Sequence, residues 1–367
     1  MLCSGTLARI ASVWVSVIAI NGRECSDLLL ACCIVTKYTI PDESALLEMA
    51  MKRREFLKKA GQAVALASVT GGTGLLFHNR KVGHYTSVAA KTSFFEVAPD
   101  ESVPKIVLAK NTDPAAALHS VLDAVGGIKR FIHPGERVTV KPNVGWDRTP
   151  EQAACTNPIL VGEMVRLCLA AGAAEVIVSD ISCNDPRRCF IRSGIREEAE
   201  KAGAKVILPQ DGDFVQTNLK GELLTIWPVL KHFVFTDRLI NMPIVKQHSL
   251  TSCTIGMKNF FGILGGRRNQ LHQQIDQSLV DLAAFCRPTL TVVDATRVLH
   301  RNGPQGGSLD DVRIENAVIC ATDLVAADAR ACEFLGLKPE HVSHIVLAEK
   351  SGLGKIDYRS VGYKEVA

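Results

Sequence analysis

The 367-residue chain holds 12 cysteines but no C-x-x-C pair. Zinc-ribbon, thioredoxin-type and ferredoxin-type spacings are therefore absent. It also lacks H-E-x-x-H, G-x-S-x-G and a supported Ser-x-x-Lys, which disfavours zincin, α/β-hydrolase and β-lactamase chemistry. No G-K-[ST] ends a glycine-rich loop, and no G-x-G-x-x-G follows the first predicted strand, so Walker and dinucleotide-binding readings are both weak. Aromatic residues are only 5% of the chain and no heptad is sustained, so nothing specifies a partner helix. An excess of one charge is missing as well. Of the 42 Lys and Arg, 10 fall in residues 1–90 together with 6 of the 38 Asp and Glu, which leaves 32 of each sign downstream. A duplex-binding protein needs a basic face to neutralise phosphates, so no nucleic-acid partner is expected.

What is present begins with residues 51–77, MKRREFLKKAGQAVALASVTGGTGLLF. Arg53-Arg54 precede Phe56-Leu57-Lys58 and a weakly apolar run diluted by Gly61, Gly71, Gly72 and Gly74. A stop-transfer helix needs about 20 predominantly apolar residues without such dilution. The pattern resembles a bacterial twin-arginine export signal, with Lys52 where Ser or Thr is commoner. That resemblance implies the twin-arginine translocase as a partner. It also implies a folded cargo delivered to the periplasm or to the outer side of the cytoplasmic membrane. Such a signal belongs at a chain start, so Met51 is the expected initiator and residues 1–50 an upstream extension.

From residue 103 onward, short β-rich runs alternate with helical patterns. Strands are expected at 105–109, 137–141, 175–180, 205–208, 238–242, 288–294 and 312–320, with a hairpin inside 214–226. Asp113-Pro114 and Asn157-Pro158 each place a capping side chain before a first-turn proline, and Gly172 stops the second helix. Further helices are expected near 195–202, 273–285, 323–335 and 339–349. The resulting class is α/β: a mostly parallel sheet flanked by helices, carrying a small antiparallel hairpin insertion. One domain over residues 104–350, with a tail at 351–367, accounts for the pattern.

The polar residues that follow the strands carry the functional signal. RVTV runs into Lys141-Pro142-Asn143, VIVS ends at Asp180, LINMPIV ends in Lys246-Gln247-His248, and LTVV ends at Asp294. Residues just past the carboxyl ends of parallel strands meet at one sheet edge, where ligands bind. Lys258 and Asn259 sit among apolar neighbours in GMKNFFG, and Gly265-Gly266-Arg267-Arg268 offers backbone amides and guanidinium groups suited to an anion. His272 follows closely. Cys168, Cys286, Cys320 and Cys332 lie in apolar contexts and are expected in the core. Cys183 and Cys189 flank a polar loop, either as a disulfide or metal site or as two unpaired thiols.

Together KPN (141–143), TNP (156–158), PIVKQH (243–248), GMKNFFG (256–262), Arg267/His272, VVDA (292–295), NGPQGG (302–307) and TDLVAADA (322–329) resemble the bacterial and archaeal family called domain of unknown function 362. The resemblance covers residues 104–350. Some members carry a ferredoxin-like iron–sulfur module, but this chain lacks those cysteines, so no iron–sulfur cluster is expected from it.

These residues point first to an exported enzyme acting on a small anionic substrate. Lys141, Asn143, Lys246, Asn259 and Arg267 would bind the substrate. His248, Lys258 and His272 would form the catalytic set, and Asp180, Asp294 and Asp328 would hold a metal ion or orient the other groups. The alternative is a non-catalytic ligand-binding or accessory protein of an exported redox system, which needs the cationic cleft but no acid–base pair. An iron–sulfur carrier ranks third. The sequence leaves the oligomeric state open.

Overall fold

The computed structural model describes residues 95–367. The twin-arginine motif and Met51 lie outside these residues. Within the described residues the strands are β1 (Ile106–Lys110), β2 (Arg137–Pro142), β3 (Glu175–Val178), β4 (Lys205–Val206), β5 (Phe214–Asn218) and β6 (Ile226–Leu230). They continue as β7 (Arg238–Met242), β8 (Ile244–His248), β9 (Ser252–Thr254), β10 (Leu290–Leu299), β11 (Val312–Ala321) and β12 (Tyr363–Val366). The helices are α1 (Pro114–Ala124), α2 (Pro158–Ala170), α3 (Pro186–Arg192), α4 (Ile195–Lys201), α5 (Lys231–Val234), α6 (Gly256–Asn259), α7 (Ile275–Cys286), α8 (Leu324–Cys332) and α9 (Ser343–Lys350).

The main sheet runs β12-β1-β11-β10-β7-β2-β3-β4, with β8 joined to β10 and β9 joined to β8. Strands β4, β3, β2, β7 and β10 are parallel neighbours, whereas β11 is antiparallel to both β10 and β1. This is the expected α/β class. The expected hairpin is the separate antiparallel pair β5–β6. The stretch after residue 350, read as a tail, returns to the sheet, and β12 pairs with β1 in parallel.

Both sheet faces are buried, which is why the strands read as continuous apolar runs. In β1, Ile106 and Leu108 enter one core cluster while Val107 and Ala109 enter the other. The predicted caps are present: Asp113 Oδ1 accepts from Ala115 N at 2.9 Å, and Asn157 Oδ1 accepts from Ile159 N at 3.1 Å. The strand expected at 238–242 is β7, and Pro243 divides it from β8, which carries Lys246-Gln247-His248. Proline cannot donate to a ladder, so β8 leaves β7's register and continues alongside β10. Among the described residues, no helix is long and apolar enough to cross a membrane.

Candidate functional site

The parallel strands β3, β2 and β7 end side by side, so their following residues converge as the sheet-edge rule requires. β2 delivers Lys141, fully buried. Its Nζ donates to Asp180 Oδ1 at 2.6 Å, to Pro142 O at 2.8 Å and to Asn259 Oδ1 at 3.1 Å. Those three bonds use all three ammonium protons. Burial pushes the Lys141 amine below its ordinary pKa, and the Asp180 carboxylate beside it opposes that shift. Asp180 also accepts from Val144 N at 2.6 Å and from Ile181 N at 2.9 Å, so its oxygens are committed to protein donors.

The next layer is built from amides. Asn259 Oδ1 accepts from Asn143 Nδ2 at 3.1 Å, and its Nδ2 donates to Lys141 O at 3.1 Å and Asn241 Oδ1 at 2.9 Å. Lys246 from β8 donates to Asn143 Oδ1 at 2.9 Å and to Ala154 O at 2.7 Å, leaving one proton uncommitted. Burial lowers its pKa to about 8. Gly262 permits this assembly. A Cβ there would collide with Asp180 Oδ1 and stand 2.9 Å from Lys141 Nζ, while Gly262 O accepts from Ile181 N at 2.9 Å.

A cleft of about 500 Å³ opens above this network, lined by Asn143, Asp180, Lys246, His248, Lys258, Asn259, Arg267 and His272. Lys258 is 8% exposed, and its Nζ lies 4.0 Å from the centre of the Phe261 ring. It donates a hydrogen bond to no described residue. Burial, aided by the charges of Arg268, Lys246 and Lys141, lowers its pKa to about 8. His248 is partly buried, and its Nδ1 accepts from Leu250 N at 3.1 Å. Burial first, then the Lys258 and Lys246 charges, push its pKa down to about 4, so the ring is neutral at pH 7. His272 stacks at a tilt on Phe261, with 5.1 Å between ring centres.

Eight of the residues singled out in the sequence line this cleft, and Lys141 lies directly beneath it. The other two aspartates go elsewhere. Asp294 Oδ2 accepts from Asn157 N at 2.8 Å, and its Oδ1 accepts from Thr296 N at 2.9 Å and Thr296 Oγ1 at 2.7 Å. It ties the start of α2 to β10, and burial raises its pKa. Asp328 accepts from Gly256 N at 2.7 Å and Met257 N at 3.0 Å, so it caps the turn that carries Lys258 and Asn259. Burial raises its pKa to about 6. The expected metal set of Asp180, Asp294 and Asp328 is therefore not brought together, because each carboxylate is spent on backbone amides in a different place. Among the described residues no group of three or more His, Cys, Asp or Glu is placed to hold a metal ion.

The structure adds residues that were not assigned to the substrate, catalytic or metal sets from the sequence. Asn241 joins Asn259 to Gly256 O, donating through its Nδ2 at 3.1 Å. Arg268, next to the expected Arg267, donates to Ile181 O and Ser182 O at 3.2 Å each and holds the loop after β3 against the cleft. Thr254 lines the cleft with a buried hydroxyl that has no partner among the described residues. Trp146 and Pro304 complete an apolar wall. Cys183 is an exposed free thiol at the cleft and Cys189 a buried one, the unpaired alternative. Only the double arginine and the motif glycines gave any sequence signal for these neighbours.

The sequence profile described as Domain of unknown function (DUF362) matches residues 138–333, more than half of the chain. The protein belongs to the DUF362 family. The matched span runs from β2 through α8 and contains every cleft residue discussed above. This DUF362 protein is 24% identical over 246 residues to the Thylakoid-associated protein sll1697 of Synechocystis sp., covering 65% of this chain and 75% of that one. Among solved structures it is similar to the lactate racemase apoprotein from Thermoanaerobacterium thermosaccharolyticum, at 10% identity and a TM-score of 0.36. That match covers 65% of this chain and 58% of the racemase chain.

Proposed function

We propose that the cleft at the carboxyl edge of the sheet binds a small anionic substrate, with His248 and Lys258 supplying acid–base chemistry. One observation carries this reading. Among the described residues Asp180 is the only carboxylate lining the cleft and is fully engaged by protein donors, whereas the buried Lys246 and Lys258 line the same space. Desolvated cations gathered without matching anions are costly, and a bound carboxylate or phosphate relieves that cost. A neutral His248 whose Nδ1 is already accepting presents Nε2–H as a donor, and a lysine shifted towards neutrality is suited to give or take a proton beside it.

The test is calorimetric titration of the full chain with succinate, whose charge is constant above pH 6. Lys246 and Lys258 are charged below their pKa of about 8, so affinity is expected to be full below pH 8 and to decline as pH rises through it. Ordinary lysines would hold affinity flat to about pH 10. Absent binding, or binding that stays flat through pH 8 to 10, defeats the reading.

We also infer export by the twin-arginine route, on the strength of the motif at residues 51–77. Replacing Arg53 and Arg54 by Lys is expected to retain the protein in the cytoplasmic fraction. Unchanged fractionation would remove the inference.

A further inference from the structure

We propose that the Lys258 amine is a covalent site, condensing with the carbonyl group of a 2-oxo carboxylate held in the cleft to form an imine. This rests on the anion-binding reading above and narrows its substrate class.

The commitments of three neighbouring lysines single out Lys258. Lys141 donates to Asp180, Pro142 O and Asn259, which exhausts its protons. Lys246 donates to Asn143 and Ala154 O and keeps one. Lys258 donates to no described residue, lines the cleft, and rests on the face of Phe261 at 4.0 Å. An amine held by no acceptor can present its lone pair to a carbonyl carbon. Burial and the surrounding positive charges bring its pKa to about 8, so it is a free base far more often near neutral pH than an exposed lysine.

The remaining groups suit the rest of such a ligand. Lys246 has its one uncommitted proton for a carboxylate oxygen, and the buried Thr254 hydroxyl is an unused donor in the same wall. Phe261, Trp146 and Pro304 form an apolar side for a hydrocarbon or aromatic substituent. In the step itself, the Nζ lone pair attacks the carbonyl carbon to give a carbinolamine. The carbonyl oxygen then leaves with the two amine protons as one water, and the C=N bond forms. Hydrolysis reverses the step, and no oxidant or reductant takes part. His248 is neutral at pH 7 and lines the cleft; with Nδ1 accepting from Leu250 N, its ring carries the proton on Nε2 and offers a donor rather than a base, so water carries the protons during the transfer.

Reductive trapping tests the proposal on the full chain. The protein is incubated with pyruvate or phenylpyruvate and sodium cyanoborohydride, then digested and mapped by mass spectrometry. Lys258 is expected to acquire the reduced adduct roughly tenfold faster than the exposed Lys201, with a rate that saturates in oxo acid and falls when succinate competes. Lys258→Arg removes the primary amine, so trapping at residue 258 is expected to be lost while the exposed Lys201 labels at its unchanged rate. If succinate binds but both oxo acids label Lys258 no faster than Lys201, the imine is overturned and the anion site stands. If succinate does not bind and no selective adduct forms, both readings fall together.

Discussion

Asp180→Ala is expected to cost about 3–5 kcal/mol of folding stability, read as a large drop in the urea midpoint. Three donors lose an acceptor at once. Lys141 Nζ keeps only Pro142 O and Asn259, Ile181 N keeps Gly262 O, and the buried amide of Val144 is left unpaired. Lys141 can shed its proton, since burial already disfavours its charge, and that limits the cost without giving Val144 N a partner. A domain typically has about 5–15 kcal/mol in hand, so the variant should keep about 0–12 kcal/mol and still fold unless the parent lies at the low end of that range. Lys141→Met combined with Asp180→Ala should recover only part of the loss, because the Val144 amide stays unsatisfied. The comparison is the exposed Arg196–Glu200 pair at 2.9 Å, whose removal should cost about 0–1 kcal/mol. Equal midpoint shifts for the two pairs would show that the Lys141–Asp180 pair does not hold the site together.

Lys258→Met is expected to move stability and binding in opposite directions. The charged amine sits 8% exposed with an aromatic face as its partner, and its pKa falls from the ordinary 10.5 to about 8. A shift of that size is a penalty of about 3 kcal/mol on the charged form at pH 7. Losing the contact with Phe261 returns about 0.5–1 kcal/mol, so a net gain of about 2 kcal/mol is expected. The sign follows from the depressed pKa. The penalty is fully present below pH 8 and fades as pH rises towards 10.5, so the gain should be largest below pH 8 and vanish at high pH. Succinate affinity should fall by about 10–100-fold, the worth of one charge-assisted hydrogen bond. A stabilised protein with weakened binding is the signature of a residue kept for function at the expense of the fold. Lower stability with unchanged affinity would instead make Lys258 a packing residue.

The residues that were expected at one sheet edge and that the structure brings to one cleft share one physical property: each follows a β-rich run or sits in a short motif whose position depends on local pattern. Lys141, Asn143, Asp180 and Lys246 come immediately after β-rich runs, and a parallel sheet carries such residues to one edge whatever the details of packing. The helix starts at Asp113 and Asn157 were legible for the same reason, since a cap and a first-turn proline act within a few residues. Pro243 was visible as a residue, but the pairing of β8 with β10 was not, because it depends on a strand more than 40 residues away.

Asp294 and Asp328 mark the boundary. In sequence, an aspartate ending a strand reads the same whether it faces a ligand or a backbone amide. Asp180 and Asp294 each end a β-rich run in the sequence, but Asp180 follows β3 and lines the cleft, whereas Asp294 lies inside β10 and binds an amide 137 residues distant. Asp328 lies within α8 and caps a turn 71–72 residues earlier in the chain. The same holds for the three lysines. Their clustering follows from strand order, but the number of ammonium protons each has already spent is three for Lys141, two for Lys246 and none for Lys258. The sequence by itself determined the α/β class, the caps and the edge where charge collects, because those depend on periodicity and neighbours in the chain. Tertiary structure alone decided which charged groups are satisfied and which face the cleft, because hydrogen-bond saturation depends on donors and acceptors brought together from distant segments.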